Sequence, residues 1–208
     1  MTAVQSLCPR AILMSNGTIE FDGTSVETVR KYLMASGASS NSVAWENPDE
    51  APGSDLVRIN AIRAVSLRTD GEDPCLFDMR TPIDVEIAYR VFTRGQFHIT
   101  LHFINEQGEV VFTSGCRSAA GWLESPVPGE YTVACHVPAD LLNEGNYTVR
   151  ILVVQNGNRV VCERQDVIGF DVKDLTPRGV GSYHGKEPGS VRPMLNWEMI
   201  AHSSQSPN

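Results

Sequence analysis

The sequence lacks the features of a membrane, secreted or disulfide-bonded protein. It contains no run of about 18 consecutive apolar residues, the length that a membrane-spanning helix needs, and no signal-peptide pattern precedes the first predicted strand. The cysteines number 5 and are widely spaced, which indicates neither a disulfide framework nor a zinc pattern. Cys135 alternates in phase with apolar neighbours, as a small core residue would. We therefore expect a soluble, cytoplasmic protein with reduced thiols.

Basic residues and catalytic motifs are also scarce. The 17 Lys and Arg residues are outnumbered by 25 Asp and Glu residues, which gives a net charge of −8. A nucleic-acid surface needs clustered Lys and Arg, so no nucleic-acid partner is expected. The sequence contains no G-x-S-x-G, H-E-x-x-H or glycine-rich phosphate loop. We expect neither an enzyme nor a bound cofactor or metal ion.

Two pairs of polar residues come closest to a catalytic or metal-binding arrangement. His98 and His102 share one face of a predicted strand, but strand geometry places them roughly 13 Å apart, too far to bind one ion. Asp84 and Glu86 are about 6–7 Å apart by the same geometry, similar to the carboxylate pair of retaining glycosidases. Acidic neighbours are common on strand surfaces, so we interpret both pairs as polar residues on a solvent-facing sheet.

What the sequence does contain is a long region of alternating apolar and polar residues. With 41% hydrophobic residues, the 208-residue chain can bury one good core. The alternation is clearest from Pro82 to Phe92 and continues through the strands that begin near Phe97, Tyr131 and Tyr147. Roughly eight such strands, separated by turns that contain glycine, predict an all-β antiparallel sandwich over residues 56–175.

Shorter segments flank the predicted sandwich. Residues 1–35 contain an Asn16-Gly17 hairpin signal and a helix that Thr24 or Ser25 can cap. Residues 36–55 have a linker composition, with Trp45 as the residue expected to dock elsewhere. Residues 176–208 form a tail in which Leu195, Trp197 and Ile200 are apolar. Such a tail can pair with an edge of its own sheet or with that of a partner.

Strand parity places several residues suited to sugar binding on the outward face of the predicted sheet. Sugars are recognised by flat aromatic faces and planar hydrogen-bonding groups, and an anionic sugar adds a need for arginine. The alternative interpretation is an ordinary solvated surface, with Trp122 packing its loop onto the core. The candidate binding residues are His98, Thr100, His102, Arg90 and Arg150, together with His136, and Arg117 and Trp122 on a nearby loop.

Two parts of the chain resemble a known transporter subunit. The segment LCPRAILMSNGTIEFDGTSVETVRKYL resembles the end of the ATPase domain of ABC transporters that export polysaccharides. The segments VRINAIRAVSLRTDGE, TPIDVEIAYRV, PGEYTVACHVPADLLNEGNYTVRILVV and DVIGFDV resemble the domain fused to that ATPase in O-antigen transporters of the Wzt type. The combination of PGEY and LLNEGNYTV is the most specific part, and the resemblance spans Ala3 to Val172.

This resemblance implies a fold and a role. In that family the fused domain is an immunoglobulin-like sandwich that dimerises by exchanging strands and recognises the modified non-reducing end of the finished glycan. The expected partners are the O-antigen terminus, a second copy of the chain and the transmembrane subunit at the cytoplasmic face of the bacterial inner membrane. Because the family's pocket residues vary with the glycan, the candidate residues above rest on strand parity alone.

The resemblance also implies that the ATP-binding part lies before Met1. Neither the Walker motifs nor the ABC signature motif occurs in the sequence, so residues 1–35 would be the last piece of an ATPase, and ATP would bind the preceding domain. A second hypothesis assigns the sandwich a scaffolding role. It would then hold two ATPase subunits together without binding glycan.

Overall fold

The chain forms a β-sandwich preceded by a small hairpin-and-helix unit. The computed structural model describes residues 4, 7–35, 40–47, 50–66, 73–116, 127–175 and 187–199. No helix in these ranges is long and apolar enough to cross a membrane. The two-layer arrangement confirms the predicted all-β sandwich.

The N-terminal unit has the hairpin and helix that its sequence predicts. Strand β1 (Arg10–Ser15) pairs with β2 (Thr18–Thr24), and α1 (Ser25–Ala35) follows directly. Asn16 and Gly17 both have positive φ, 49° and 81°, as a two-residue hairpin turn requires. The helix begins with a capping box in which Thr24 and Glu27 exchange side-chain to main-chain hydrogen bonds of 3.3 Å.

Nine described strands build the sandwich. One sheet has four strands in the order β3-β4-β6-β9, and the other has five in the order β5-β11-β10-β7-β8. Every pairing is antiparallel except that of β5 with β11. The strands are β3 (Ser42–Ala44), β4 (Val57–Ser66), β5 (Leu76–Asp78), β6 (Ile83–Val91), β7 (Phe97–Asn105), β8 (Val110–Gly115), β9 (Gly129–Val137), β10 (Gly145–Gln155) and β11 (Arg159–Lys173).

The core lies between the two sheets and is made by alternate residues of the strands. Ile87 of β6 and Ile151 of β10 are almost completely buried, and the rings of Phe77 and Phe170 pack with centroids 5.3 Å apart. Each buried aliphatic side chain of this kind contributes about 1.5–3 kcal/mol of transfer free energy. The same alternation turns the intervening polar residues outward, which defines two outer sheet faces.

The segment that follows the N-terminal unit forms hydrogen bonds with both sheets of the sandwich. The main-chain oxygen of Ser40 accepts a 3.0 Å hydrogen bond from Gly169 of β11, and that of Asn41 accepts a 2.6 Å bond from Ala64 of β4. Trp45 packs partly buried against the core, as its sequence context predicts. Residues 40–45, which have a linker composition, therefore connect the two sheets, and residues 42–44 add strand β3.

The alternation of the sequence breaks after Cys162 and resumes at Asp166, which predicts two strands, 158–162 and 166–172, but the structure has the single long strand β11. Its pairing with β10 shifts between Val149, which faces Ile168, and Ile151, which faces Arg164. The three residues 165–167 therefore bulge opposite one residue of β10, and Asp166 adopts a left-handed φ of 49°. A bulge bends a strand and increases its twist without ending it, which explains why the alternation breaks while the strand continues.

The sequence between β9 and β10 predicts a single helical turn from Ala139 to Leu142, and this prediction is wrong. Asp140 has a left-handed φ of 58°, and Leu142 forms an isolated antiparallel bridge with Val191 of the tail. Arg192 adds a main-chain hydrogen bond of 2.9 Å to the oxygen of Leu141. Leu141 and Leu142 are therefore held by a tail segment about fifty residues later in the sequence, a pairing that local sequence cannot reveal.

Beyond Arg192 the tail is exposed. Trp197 has an exposed fraction of 94%, although it is the largest apolar side chain of this segment. The described tail therefore has an anchored part, residues 187–192, and an exposed apolar part, residues 193–199. The large apolar residues of the exposed part are Met194, Leu195, Trp197 and Met199.

Candidate functional site

The outer face of the five-stranded sheet carries four of the predicted binding residues. His98, Thr100 and His102 alternate along β7 with the buried residues of the core, and Arg150 lies on the same outer face of β10. Leu152 and Val154 of β10 lie opposite Thr100 and His98 and are only partly buried. We call this set, His98, Thr100, His102, Arg150, Leu152 and Val154, the His–Arg face.

His102 and Arg150 are direct partners across β7 and β10. Directly opposed residues on one face have Cβ atoms about 4.5–5.5 Å apart, so the two side chains are neighbours. Nδ1 of His102 and Nε of Arg150 are both buried and have no hydrogen-bond partner among the described residues. These two unsatisfied nitrogens therefore set the pair apart from the rest of the face.

The bulge in β11 lies opposite Arg150. Because the β10–β11 register passes from Val149 to Ile151, no residue of β11 pairs with Arg150 across the ladder. The carboxylate of Glu163 lies 3.8 Å from Nη1 of Arg150, a distance that is longer than a hydrogen bond. Bulges often occur next to binding sites, where they redirect a side chain.

Strand β8 borders the other side of the face with small residues. Thr113 lies opposite His102, and Gly115 lies opposite Thr100. Since Gly115 has no side chain, nothing from that position covers Thr100; an added Cβ would come within 3.5 Å of its hydroxyl oxygen. The face therefore has a hydroxyl, an imidazole and a guanidinium beside a strip formed by Leu152 and Val154.

The expectation that Arg90 shares this face is wrong. Arg90 belongs to β6 in the four-stranded sheet, so it lies on the opposite outer face of the sandwich. Its guanidinium carbon lies 5.5 Å from the ring centroid of Phe92. His136, on β9 of that same sheet, pairs with Asp84 at 2.7 Å. Strand parity gives the side of a strand but not the sheet that it joins, and so it could not separate Arg90 from the others.

Two further candidates, Arg117 and Trp122, lie outside the described residues. Cys116, the last described residue before them, accepts a 3.0 Å hydrogen bond at its sulfur from the main-chain nitrogen of Ile99.

Sequence reasoning missed a groove at one end of the sandwich. It has a volume of about 520 Å³ and lies between the β7–β8 turn, the start of β10 and the anchored tail. Three distant chain segments build it, so no local pattern could have revealed it. Its lining is rich in amide and carboxylate groups and includes Asn105, Glu106, Gln107, Glu109, Glu144, Asn146 and Glu187.

Nucleophilic and metal chemistry find little support in the described part of the chain. Burial raises the pKa of the Cys116 thiol to about 11 and also raises the pKa values of Cys135 and Cys162, so these thiols are poor sources of thiolate at neutral pH. Among the described residues, no group of three or more His, Cys, Asp or Glu side chains is placed to hold a metal ion.

The fold of this chain is similar to that of a solved protein domain. A crystal structure of the C-terminal domain of Wzt superposes with a TM-score of 0.55 and 13% identity, covering 76% of this chain and 93% of that one. A Niemann-Pick type C2 protein from the Japanese carpenter ant aligns over 60% of this chain and 98% of its own, with a TM-score of 0.39 and 12% identity. No protein-family model matches the sequence, and no curated protein matches it.

Proposed function

We propose that this chain is a non-catalytic carbohydrate-binding domain of an O-antigen ABC transporter. It would recognise the capped non-reducing end of the lipid-linked polysaccharide before export. The main support for this proposal is the similarity of the fold, over 76% of the chain, to the C-terminal domain of Wzt, together with the sequence segments that resemble the same family. The His–Arg face supplies the groups that such a domain needs, namely planar donors, a hydroxyl and an apolar strip.

The same proposal covers the surroundings of the domain. Residues 1–35 would be the last part of an ABC ATPase domain, and the sandwich would belong to the immunoglobulin-like class. The subunit would work at the cytoplasmic face of the bacterial inner membrane with a transmembrane partner. ATP would bind the ATPase domain rather than the described sandwich, which would need neither a cofactor nor a metal ion.

Titration with the natural glycan tests the binding role. Oligosaccharide released from the O-antigen of the source bacterium would be added to isotope-labelled protein, and amide signals would be followed by NMR. We expect shifts concentrated on β7 and β10. The matched comparison uses the same oligosaccharide without its terminal residue and should give much weaker shifts. An unchanged spectrum with a correctly folded protein would contradict the proposal.

A second candidate function is dimerisation without glycan binding. The exposed apolar part of the tail favours it, because Leu195 and Trp197 have exposed fractions of 67% and 94%, and exposed apolar segments commonly mark protein interfaces. Two sandwiches joined through their tails would also raise the effective concentration of a pair of glycan sites, so the two roles are compatible. Variants of the protein distinguish the binding role from the scaffolding role. A pure scaffold would lose its function on tail truncation but tolerate substitutions at Arg150.

A further inference from the structure

Arg150 differs from Arg63 and Arg80 in how weakly its charge is paired. Arg63, on the outer face of the opposite sheet, donates to the carboxylate of Glu86 at 2.6 Å, and Arg80 donates through two nitrogens to Asp174 at 3.4 Å. Arg150 lies 3.8 Å from Glu163, and its Nε has no hydrogen-bond partner in the part of the chain that the structure describes. Its side chain is nevertheless only 27% exposed. A partly buried arginine whose charge is so weakly paired is suited to meet a negative charge from outside.

His102 adds a second unsatisfied group at the same place. It is the cross-strand partner of Arg150, and its buried Nδ1 also lacks a hydrogen bond to any described residue. Buried polar atoms without partners are uncommon in native proteins, and each of them needs an explanation, such as a catalytic role or a bound ion. Two of them on directly opposed residues point to one common ligand group rather than to two unrelated defects.

The bulge in β11 leaves space beside His102 and Arg150. Residues 165–167 of β11 leave the ladder opposite Arg150, and on the other side Gly115 adds no side chain above Thr100. Thr100, Leu152 and Val154 continue the same face away from the charged pair. A ligand over Arg150 would therefore have a hydroxyl group and an apolar strip beside it, which suits the ring of a sugar.

From this arrangement we propose that the His–Arg face binds a sugar that carries an oxyanion, either a carboxylate or a phosphate monoester. The guanidinium of Arg150 would donate to the oxyanion with its fork of N–H groups, which matches the planar geometry of two oxygens. His102 would contact the same group, and the sugar ring would lie toward Leu152 and Val154. This inference rests on the proposed carbohydrate-binding function and specifies the class of its ligand.

Glu163 has a defined part in this arrangement. Its carboxylate is the existing negative neighbour of Arg150, so an incoming oxyanion must compete with it. Removing the charge with Glu163→Gln should therefore strengthen the binding of an anionic sugar, whereas Arg150→Gln should weaken it. A general loss of structure would weaken binding in both variants, so the opposite signs distinguish a ligand contact from damage to the fold.

The experiment is a set of NMR titrations of the full chain with four probes: glucuronic acid, glucose 6-phosphate, glucose and inorganic phosphate. We expect one or both charged sugars to shift the amide signals of β7 and β10 at a concentration at least about tenfold lower than glucose requires. Arg150→Gln should reduce the affinity for the charged sugar about tenfold, in line with a lost charge-assisted hydrogen bond. Glu163→Gln should increase it roughly twofold to fivefold.

Two matched variants control for charge and folding. Arg63→Gln removes the same charge from an arginine–glutamate pair on the opposite outer face and should leave the affinity unchanged within about twofold. Arg150→Lys keeps the charge without the planar fork, and it should bind more weakly than the unmodified protein but more tightly than Arg150→Gln. An equal loss in Arg63→Gln and Arg150→Gln would mean that only net charge matters, and it would overturn the inference.

The remaining outcomes separate this inference from the function on which it rests. If glucose shifts the same signals as strongly as the charged sugars, the face binds neutral sugar, so the inference fails while the carbohydrate-binding function stands. If inorganic phosphate binds as tightly as glucose 6-phosphate, the face holds an adventitious ion only, and the inference fails. If none of the four probes binds there, the inference also fails, and the titration with natural oligosaccharide decides the function independently.

Discussion

The buried side-chain amide of Asn143 donates a 2.7 Å hydrogen bond to the main-chain oxygen of Gly189, 46 residues further along the chain. A second bond of the same length reaches the oxygen of Glu187. Tyr147 reinforces the contact, since its hydroxyl donates to the main-chain oxygen of Asn143 at 2.8 Å. The polar contacts of one asparagine therefore do much to fix the anchored part of the tail.

We predict that Asn143→Ala detaches this anchor. Loss of two hydrogen bonds to main-chain oxygens should lower the free energy of unfolding by about 1–3 kcal/mol, and hydrogen exchange should rise across residues 187–192. Urea denaturation and exchange measured by mass spectrometry test both effects. Asn158→Ala, in the exposed β10–β11 turn, is the control and should change stability by less than about 0.5 kcal/mol. Unchanged exchange in the tail would contradict this account.

Gly53 is predicted to tolerate no side chain. An added Cβ would lie 2.3 Å from the main-chain oxygen of Val57 and 2.7 Å from the Cα of Arg58, so backbone atoms would have to move. The movement would disturb the bridge between Gly53 and Arg58, and we expect Gly53→Ala to cost roughly 1–3 kcal/mol. Gly129→Ala is the matched control, because its Cβ would meet no atom closer than 3.7 Å. Similar thermal midpoints for the two variants would refute the prediction.

Buried phenol and thiol groups should make the fold sensitive to alkali. Burial raises the pKa of Tyr147 from 10.0 to about 12 and that of Cys116 from 9.0 to about 11. The unfolded chain loses these protons first, so the stabilisation is complete below pH 9 and is lost as the pH rises through 11 and 12. A shift of this size corresponds to about 2–3 kcal/mol for Tyr147.

The variant Tyr147→Phe isolates one contribution to this pH dependence. It should be less stable than the unmodified protein near neutral pH, because the hydroxyl bonds to Asn143 and Ser190 are lost. Its stability should nevertheless fall less steeply between pH 10 and pH 12, the range over which Tyr147 titrates. Urea denaturation across that range provides the comparison. Parallel pH profiles for both proteins would show that Tyr147 is not responsible.

The exposed part of the tail should control self-association. We predict that replacing Leu195 and Trp197 by serine shifts the protein from dimer to monomer in light scattering, because both apolar side chains are largely exposed in the single chain. Truncation after Leu175 should have the same effect. The control replaces Val160, a half-exposed residue of β11, by serine and should leave the mass unchanged. A dimer that persists in the truncated protein would show that the interface lies elsewhere.

Strand parity could be read from the sequence because burial between two sheets imposes a period of two. It placed His98, Thr100, His102 and Arg150 outward, and the structure confirms that they share one face. Parity could not assign Arg90 to a sheet, since strand order depends on pairings between distant segments. These pairings come from the packing of the whole chain.

Short strands and irregular backbone features could not be predicted from the sequence for a related reason. Strands β3 and β5 have three residues each, too few to show an alternation that differs from chance. The bulge at Asp166 and the bridge between Leu142 and Val191 depend on tertiary partners. The bulge borders the His–Arg face, and the bridge holds the tail that lines the groove. Sequence rules for secondary structure fail most often at functional sites.

The attachment of residues 40–41 to both sheets has a mechanical consequence. Only four residues separate the end of α1 at Ala35 from Ser40, so the two points can be no more than about 18 Å apart, at roughly 3.6 Å per residue. A force applied to α1 would be transmitted through this short segment and would act on the Ser40–Gly169 and Asn41–Ala64 hydrogen bonds together. Such a force would therefore reach both sheets of the sandwich at once.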